Sequence, residues 1–299
     1  MTLPFILIIP AVLAVILAAV LTAEIHRELH TFCVTRYDVS SEKLPDGADV
    51  KILFLSDLHD CCYGENNDRL FQAVKEEHPD LILVGGDMLV GKKGCAYENA
   101  LALLKRLPSV CPVVYANGNH EQRMKEAPEI YDSSYDDYKS ELLDCGITLL
   151  ENESIRIPMP DGTVFAVHGL ELPVSTYLKF RKAPVKKRDL ERRLGSPQAD
   201  AYNILLAHNP AYMDACKDWG ADLILSGHLH GGLVRIPGIG GIITPQGFLF
   251  PKYCGEMRRE GNQTVIVSRG LGSHTLNIRL FNVPEVVSIR IRMKTKKSL

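Results

Sequence analysis

The sequence predicts an α/β fold, and three observations carry the prediction. Short runs rich in Ile, Leu and Val recur at 51–56, 81–84, 113–116, 202–207 and 223–225. Stretches of helical period separate them, as expected of strands alternating with helices around a sheet covered on its faces. Each run also stops abruptly on a glycine or a polar residue, and in such sheets the working edge lies at the carboxyl ends of the strands.

Taken in order, residues 3–23 carry no charge and are almost wholly aliphatic. As a helix they span roughly 31 Å, the thickness of a bilayer core, so the segment reads as a transmembrane anchor. Pro4 and Pro10 are tolerable in such a helix. A cleaved signal peptide is the competing reading, with Ala18, Ala19 and Ala23 as small residues for a cleavage site. Against it, no basic residue precedes the run, and the run outlasts an ordinary signal-peptide core. Arg27 and Arg36 follow the segment and lean towards a single-pass cell-membrane protein with a cytoplasmic domain.

Residues 24–48 read as a tether running into an edge strand near 33–39, closed by a turn at Pro45-Asp46-Gly47. The catalytic body is placed at 49–293. Its first half combines the strands at 51–56, 81–84 and 113–116 with helices at 66–77, 98–106 and 135–144. In the first helix Leu70, Phe71 and Val74 share a face. Strands at 148–150, 154–157 and 164–167 follow. The least regular stretch is 172–200, where 179–193 holds eight basic residues against Asp189 and Glu191. It reads as a solvated face, with anionic lipid headgroups or an anionic substrate as the alternative contact. Strands at 202–207, 223–225, 241–243, 264–268 and 286–292 and a helix at 211–219 complete the body. No internal repeat is visible, so one domain is expected.

With 299 residues, 46% hydrophobic and 23% charged, the chain can bury a large core. Its net charge of −2 gives no electrostatic case for a nucleic-acid partner. The eight cysteines include no CxxC pair, which removes support for a zinc ribbon or a thioredoxin motif. Scattered thiols lean towards a reducing compartment. Cys61 and Cys62 sit beside the first candidate ligands, either as buried bystanders, the commoner case, or as thiols that make the site sensitive to oxidation.

The strand ends carry the chemistry: Asp57-Leu58-His59, Gly86-Asp87, Gly118-Asn119-His120, Ala207-His208 and Gly227-His228-Leu229-His230. In extended backbone, residues two apart point the same way, so Asp57 and His59 can address one ion. A lone strand-end histidine is more often a packed structural residue. Here five of the ten histidines lie in these segments, with two aspartates and an asparagine. That is too many ligands for one tetrahedral zinc, and it suits two ions sharing a carboxylate.

These five motifs, in this order, resemble the calcineurin-like metallophosphoesterases over about 51–292. The apolar N-terminus, Ser268-Arg269-Gly270-Leu271-Gly272 and Phe250-Pro251-Lys252-Tyr253 resemble the membrane-associated bacterial phosphodiesterase branch of that family. The resemblance implies a four-layer α/β/β/α sandwich of two mixed sheets, which the strand count permits without deriving. It implies two divalent ions of Mn, Fe or Zn. Asp57, His59, Asp87 and His230 would hold one, and Asp87, Asn119, His208 and His228 the other, with Asp87 bridging. His120 matches the family's non-ligand histidine, an imidazolium that stabilises developing charge or protonates the leaving oxygen. Glu121 either orients His120 or faces solvent. Arg269, His168 and His274 are the candidate phosphate contacts. Leu233 departs from the pattern, which expects glutamine there.

The expected activity is hydrolysis of phosphodiesters or pyrophosphates at a membrane surface, by metal-activated hydroxide attack on phosphorus. The narrower alternative is a pyrophosphatase acting on a UDP-sugar lipid precursor. An alternative of another class is a non-catalytic scaffold on the same fold, although a scaffold has no need of every ligand. The expected partners are a phosphate-ester substrate, lipid-linked in the narrower case, and the membrane held by the N-terminal helix.

Overall fold

The computed structural model describes residues 3–131, 134–178, 180, 183–232, 235–236, 239–244, 247, 249–273 and 277–294. Helix α1 (Leu3–Leu29) leads into strand β1 (Cys33–Ser41) and then β2 (Asp49–Leu55). Next come α2 (Asp68–Glu76), β3 (Leu81–Val84), α3 (Glu98–Leu104), β4 (Val113–Ala116), α4 (Asn119–Glu126), α5 (Ser134–Asp144) and β5 (Thr148–Leu150). The second half holds β6 (Glu153–Pro158), β7 (Val164–Leu170), α6 (Lys187–Leu194), β8 (Tyr202–Ala207), α7 (Met213–Trp219) and β9 (Leu223–Ser226). After the short pair β10 (Arg235–Ile236) and β11 (Gly240–Gly241) come β12 (Met257–Glu260), β13 (Gln263–Val267) and β14 (Glu285–Met293).

Two six-stranded mixed sheets result, ordered β1-β14-β2-β3-β4-β5 and β12-β13-β9-β8-β7-β6. In the first, only the β14–β2 pairing is antiparallel. In the second, the two edge pairings are antiparallel and the three inner ones parallel.

Strand periodicity sorts the core into three layers. On β2, Leu53 and Leu55 face outwards and pack with Leu70, Val74, Leu104, Tyr138 and Leu142 of α2, α3 and α5. Ile52 and Phe54 face the other way, meeting Phe165, Ile204, Leu206 and Leu225 of the second sheet. On that sheet's far face, Leu205, Ile224 and Val265 pack with Leu190, Met213 and Trp219 of α6 and α7. Three apolar layers between helices, sheet, sheet and helices make the four-layer sandwich. A register slip of one residue in β2 would exchange its two faces, so burial on both sides fixes where its end falls.

Several elements differ from the expectation. Helix α4 begins on Asn119, in a stretch read from sequence as a strand-end loop. Strand β12 was not foreseen, because Met257-Arg258-Arg259-Glu260 is a polar edge strand. The strand expected at 241–243 is only the two-residue β11, and Ile243 instead bridges Leu249. The basic stretch forms the amphipathic helix α6, with Leu190 as its buried residue; Lys179, Arg181 and Lys182 lie outside the described residues.

Helix α1 is long and apolar enough to cross a membrane, and its side chains from Ile8 to Val20 are exposed. Its last turn is docked. Glu28 is 1% exposed, and its carboxylate accepts a hydrogen bond of 2.9 Å from the Asn282 backbone N–H.

Candidate metal centre

The carboxyl ends of β2, β3 and β4 in one sheet and of β8 and β9 in the other meet at one edge of the sandwich. Asp57, His59, Asp87, Asn119, His120, His208 and His228 are all buried there, and His230 is nearly so. Five of these residues depart from ordinary backbone geometry: Asp57, His59, Asp87, His228 and His230 have φ between 47° and 68°. Left-handed backbone is costly for a residue with a side chain and concentrates at functional sites. Here it lets a strand that has just ended turn its next side chain inwards.

Three groups of potential metal-ligating atoms form in this way, the atoms of each lying within 4.8 Å of one another: Asp57, His59 and His230; His59, Asp87 and His120; Asp87, His208 and His228. Asp87 Oδ2 lies 3.1 Å from His208 Nε2 and 3.9 Å from Nε2 of both His59 and His120. On the other side, Asp57 Oδ1 is 3.6 Å from His230 Nε2 and 3.8 Å from His208 Nε2. The Asn119 side-chain oxygen is buried and has no hydrogen-bond partner among the described residues. A buried amide oxygen without a donor, beside two carboxylates and imidazole nitrogens, fits a divalent cation.

Hydrogen bonds assign the imidazole tautomers. Nδ1 of His208 lies 2.7 Å from the Gly85 carbonyl, Nδ1 of His230 3.1 Å from that of Gly272, and Nδ1 of His59 3.3 Å from that of Leu89. A carbonyl only accepts, so all three donate from Nδ1 and turn Nε2 towards the centre, the arrangement of a metal-ligating histidine. His120 is reversed: its Nδ1 accepts from the Gly91 N–H at 2.8 Å. Its proton therefore sits on Nε2, facing the same space as a donor.

Electrostatics tie the group together. Burial alone would disfavour the Asp87 carboxylate, but the neighbouring imidazoles, His208 foremost, outweigh it and hold its pKa well below the ordinary value. Burial would likewise lower His208, yet the charge and hydrogen bond of Asp87 raise it to about 10. Burial and the charge of Asp87 push Asp57 up to about 6. Binding a cation must displace the His208 proton, so metal loading is coupled to proton release.

The neighbouring glycines and Glu121 have definite reasons. A Cβ on Gly118 would overlap Asp87 Oδ1, and one on Gly227 would overlap Asp57 Oδ2 and Ser56 Oγ. Glu121 neither orients His120 nor faces solvent. It is fully buried, and its carboxylate accepts from the backbone N–H of Asp87 (2.8 Å), Met88 (2.9 Å) and Gly118 (3.0 Å) and from the Tyr115 hydroxyl (2.8 Å). Substituting Gly227→Ala should therefore displace Asp57 and cut metal affinity by at least ~10–100-fold, the scale for disturbing a ligand's support. Calorimetric metal titration with a thermal melt as control checks this; unchanged affinity in a folded variant would contradict it.

A calcineurin-like phosphoesterase family profile matches residues 50–232, more than half of the chain. The chain belongs to the calcineurin-like phosphoesterase family. It is similar to the metallophosphoesterase YkuE of Bacillus subtilis, 27% identical over 268 residues, covering 88% of this chain and 86% of that one. It is also similar to the phosphodiesterase YaeI of Escherichia coli, 27% identical over 250 residues, covering 82% and 83%. A third relative is a zebrafish (Danio rerio) transmembrane protein with a metallophosphoesterase domain, 26% identical over 270 residues, covering 87% of this chain and 57% of that protein. This metallophosphoesterase is accordingly a metal-dependent phosphoric ester hydrolase.

The expected phosphate contacts fare differently. Strand β7 runs on to Leu170, so His168 is an inner strand residue rather than a strand end. It is held by Ser154 Oγ at 2.6 Å and Asn203 Oδ1 at 3.1 Å, and packs on Trp219. Arg269 pairs with Glu285 at 2.6 Å and donates to Thr35 at 3.0 Å, stitching β1 to β14 rather than pointing at the centre. His274, like Leu233, lies outside the described residues. Burial pushes the Cys61 thiol up, which favours the unreactive protonated form, and exposed Cys62 donates to Gly64 O.

Sequence reasoning missed three neighbours of the site. Tyr177 lies edge-on to the His228 ring at 5.1 Å. Arg279 is 1% exposed, with no ion-pair partner among the described residues; it donates to the Gly272 carbonyl at 2.7 Å, the same oxygen that orients His230. Asn282 donates to the carbonyls of His230 and Gly232, each at 2.6 Å.

Proposed function

We propose that this metallophosphoesterase is a dinuclear phosphodiesterase or pyrophosphatase working at a membrane surface that α1 crosses. Asp57, His59, Asp87 and His230 hold one divalent ion, and Asp87, Asn119, His208 and His228 the other. The observation that carries the reading is the opposed orientation of the imidazoles: three histidines donate from Nδ1 to carbonyls and turn Nε2 towards the centre, while His120 accepts at Nδ1 and presents Nε2–H. Divalent ions there supply Lewis acidity to phosphoryl oxygens and a hydroxide nucleophile near neutral pH. Around them, Glu121 fixes the turn that bears Asp87, and His120 donates its Nε2–H to a phosphoryl oxygen as charge builds there.

The tautomer narrows the role of His120. An imidazole whose Nδ1 already accepts from Gly91 N–H is neutral, and a neutral imidazole is too weak an acid to protonate a leaving alkoxide. His120→Ala should keep two metals and lose roughly 10²-fold in kcat, the cost of one such donor. The loss should be similar for alkyl and nitrophenyl diesters, because the donor acts whichever group departs. A loss confined to the alkyl ester would instead assign proton donation to the leaving oxygen.

The likeness to a phosphodiesterase supports diesters as the substrate class. The docked end of α1, two hydrogen bonds from the His230 loop, favours a lipid-linked pyrophosphate such as a UDP-sugar lipid as the narrower reading. Arg27 and Arg36 support a cytoplasmic catalytic body. Metal analysis of the full chain, followed by a panel of phosphomonoesters, diesters and pyrophosphates, tests the proposal. A folded protein holding two metals that hydrolyses none of them would leave the scaffold reading.

A further inference from the structure

The surface beside the metal centre is unusually apolar. Outside α1, the described residues with exposed large apolar side chains fall almost entirely in three loops, with Ile130 and Leu143 as the exceptions. Phe180 is 75% exposed, Ile239 67%, Leu249 64%, Phe250 61%, Phe281 50% and Ile278 41%. Phe180, Phe250 and Phe281 also have φ of 57°, 47° and 56°. A bulky residue in left-handed backbone is a rare way to build a turn, where glycine or asparagine costs less. Three phenylalanines held outwards at such turns serve contact rather than chain reversal.

These loops are one structure, and it lies against the end of α1. The Arg235 N–H donates to Leu280 O, Arg235-Ile236 pairs with Gly240-Gly241, and the Phe250 N–H donates to Ile242 O. Gly247 packs on the Phe180 ring. Phe281 is followed by Asn282, whose backbone N–H is bound by Glu28 and whose amide holds the His230 and Gly232 carbonyls. Helix end, apolar rim and metal-centre loop are thus joined by consecutive hydrogen bonds. The uncharged run of the helix ends at Ala23, and Glu28 lies five residues on, about 7.5 Å at ~1.5 Å per residue. That distance places the rim at the depth of a bilayer's headgroup and acyl boundary, ~5–10 Å thick.

We propose that Phe180, Ile239, Leu249, Phe250, Ile278 and Phe281 form a bilayer-docking rim that beds in the headgroup region and holds the mouth of the metal centre against lipid. The occupant is the lipid bilayer, because the rim is continuous with the base of the helix. The inference rests on the reading of α1 as a membrane span. It deepens the proposed function by presenting headgroup phosphates to the site without a substrate leaving the membrane.

The test uses the full chain in phosphatidylcholine vesicles, with tryptophan placed on the rim and quenched by brominated acyl chains. Phe250→Trp and, as a second probe, Leu249→Trp should be quenched at least twofold more than the parent, whose single tryptophan, Trp219, is buried in the core. Leu143→Trp, exposed elsewhere, should match the parent. Resistance of the protein to alkaline carbonate extraction reads the span separately. Protein that resists extraction yet shows no quenching at either rim position overturns the docking rim and leaves the span standing. Extractable protein that is still quenched supports the rim and refutes the span. Unquenched rim probes with a dimer in detergent that Phe250→Ser dissolves would overturn the proposal in favour of a second copy.

Discussion

Asp87→Ala is expected to empty both halves of the metal centre at once. Its Oδ2 is the atom nearest to histidines of both groups, 3.1 Å from His208 and 3.9 Å from His59, while Oδ1 accepts from the His120 N–H at 2.8 Å. No neighbour can replace it, because Asp57 is held by Ser56 and the His228 N–H. Turnover should fall by more than the ~10²–10³-fold that follows loss of one electrostatic stabiliser. Because this one carboxylate lies within reach of histidines of both groups, added metal should restore little. Elemental analysis of the purified variant is the decisive measurement; one metal retained at full occupancy would refute a shared carboxylate.

Glu121→Gln should damage stability and metal binding together. The glutamate carboxylate accepts four backbone N–H groups, the one from Leu89 at 3.5 Å, and a phenol in a fully buried place. Glutamine has one acceptor oxygen, so its amide N–H₂ must face donors that then lose their partners, at ~1–3 kcal/mol for each group left unsatisfied. Two such groups correspond to a melting temperature lower by roughly 3–10 °C in a protein of this size. The same change loosens the link between the Asp87 and Gly118 turns, and metal affinity should drop by ~10–100-fold. A variant with parental melting temperature and affinity would show that the carboxylate's charge and second oxygen are dispensable.

What could be read from the sequence follows from where information is local. Apolar runs such as Leu81–Val84 and Val113–Ala116 stop where burial stops, so the strands and the residues at their ends were legible. The family resemblance supplied the pairing of the sheets, which no periodicity encodes. Helix α4 was not legible: Asn119-His120-Glu121-Gln122 has no apolar face, and the helix is specified by Glu121 reaching turns more than 30 residues away. His168 was misplaced because a strand boundary set three residues short moves a side chain from the rim into the sheet. Arg279 and the Glu28–Asn282 contact lie in irregular or distant segments, 254 residues apart in the latter case, and only folding brings them to the site.

The placement of β14 has a consequence for biosynthesis. This strand, the last of the described ones, lies between β1 and β2, near the beginning of the chain. While the ribosome is still short of residue 293, β2 offers the open backbone edge that β14 will cover, and β1 has no sheet to join. The first sheet closes only once β14 has been made, some 230 residues after β2. Until then the nascent chain carries an unpaired strand edge, the kind of surface that chaperones protect.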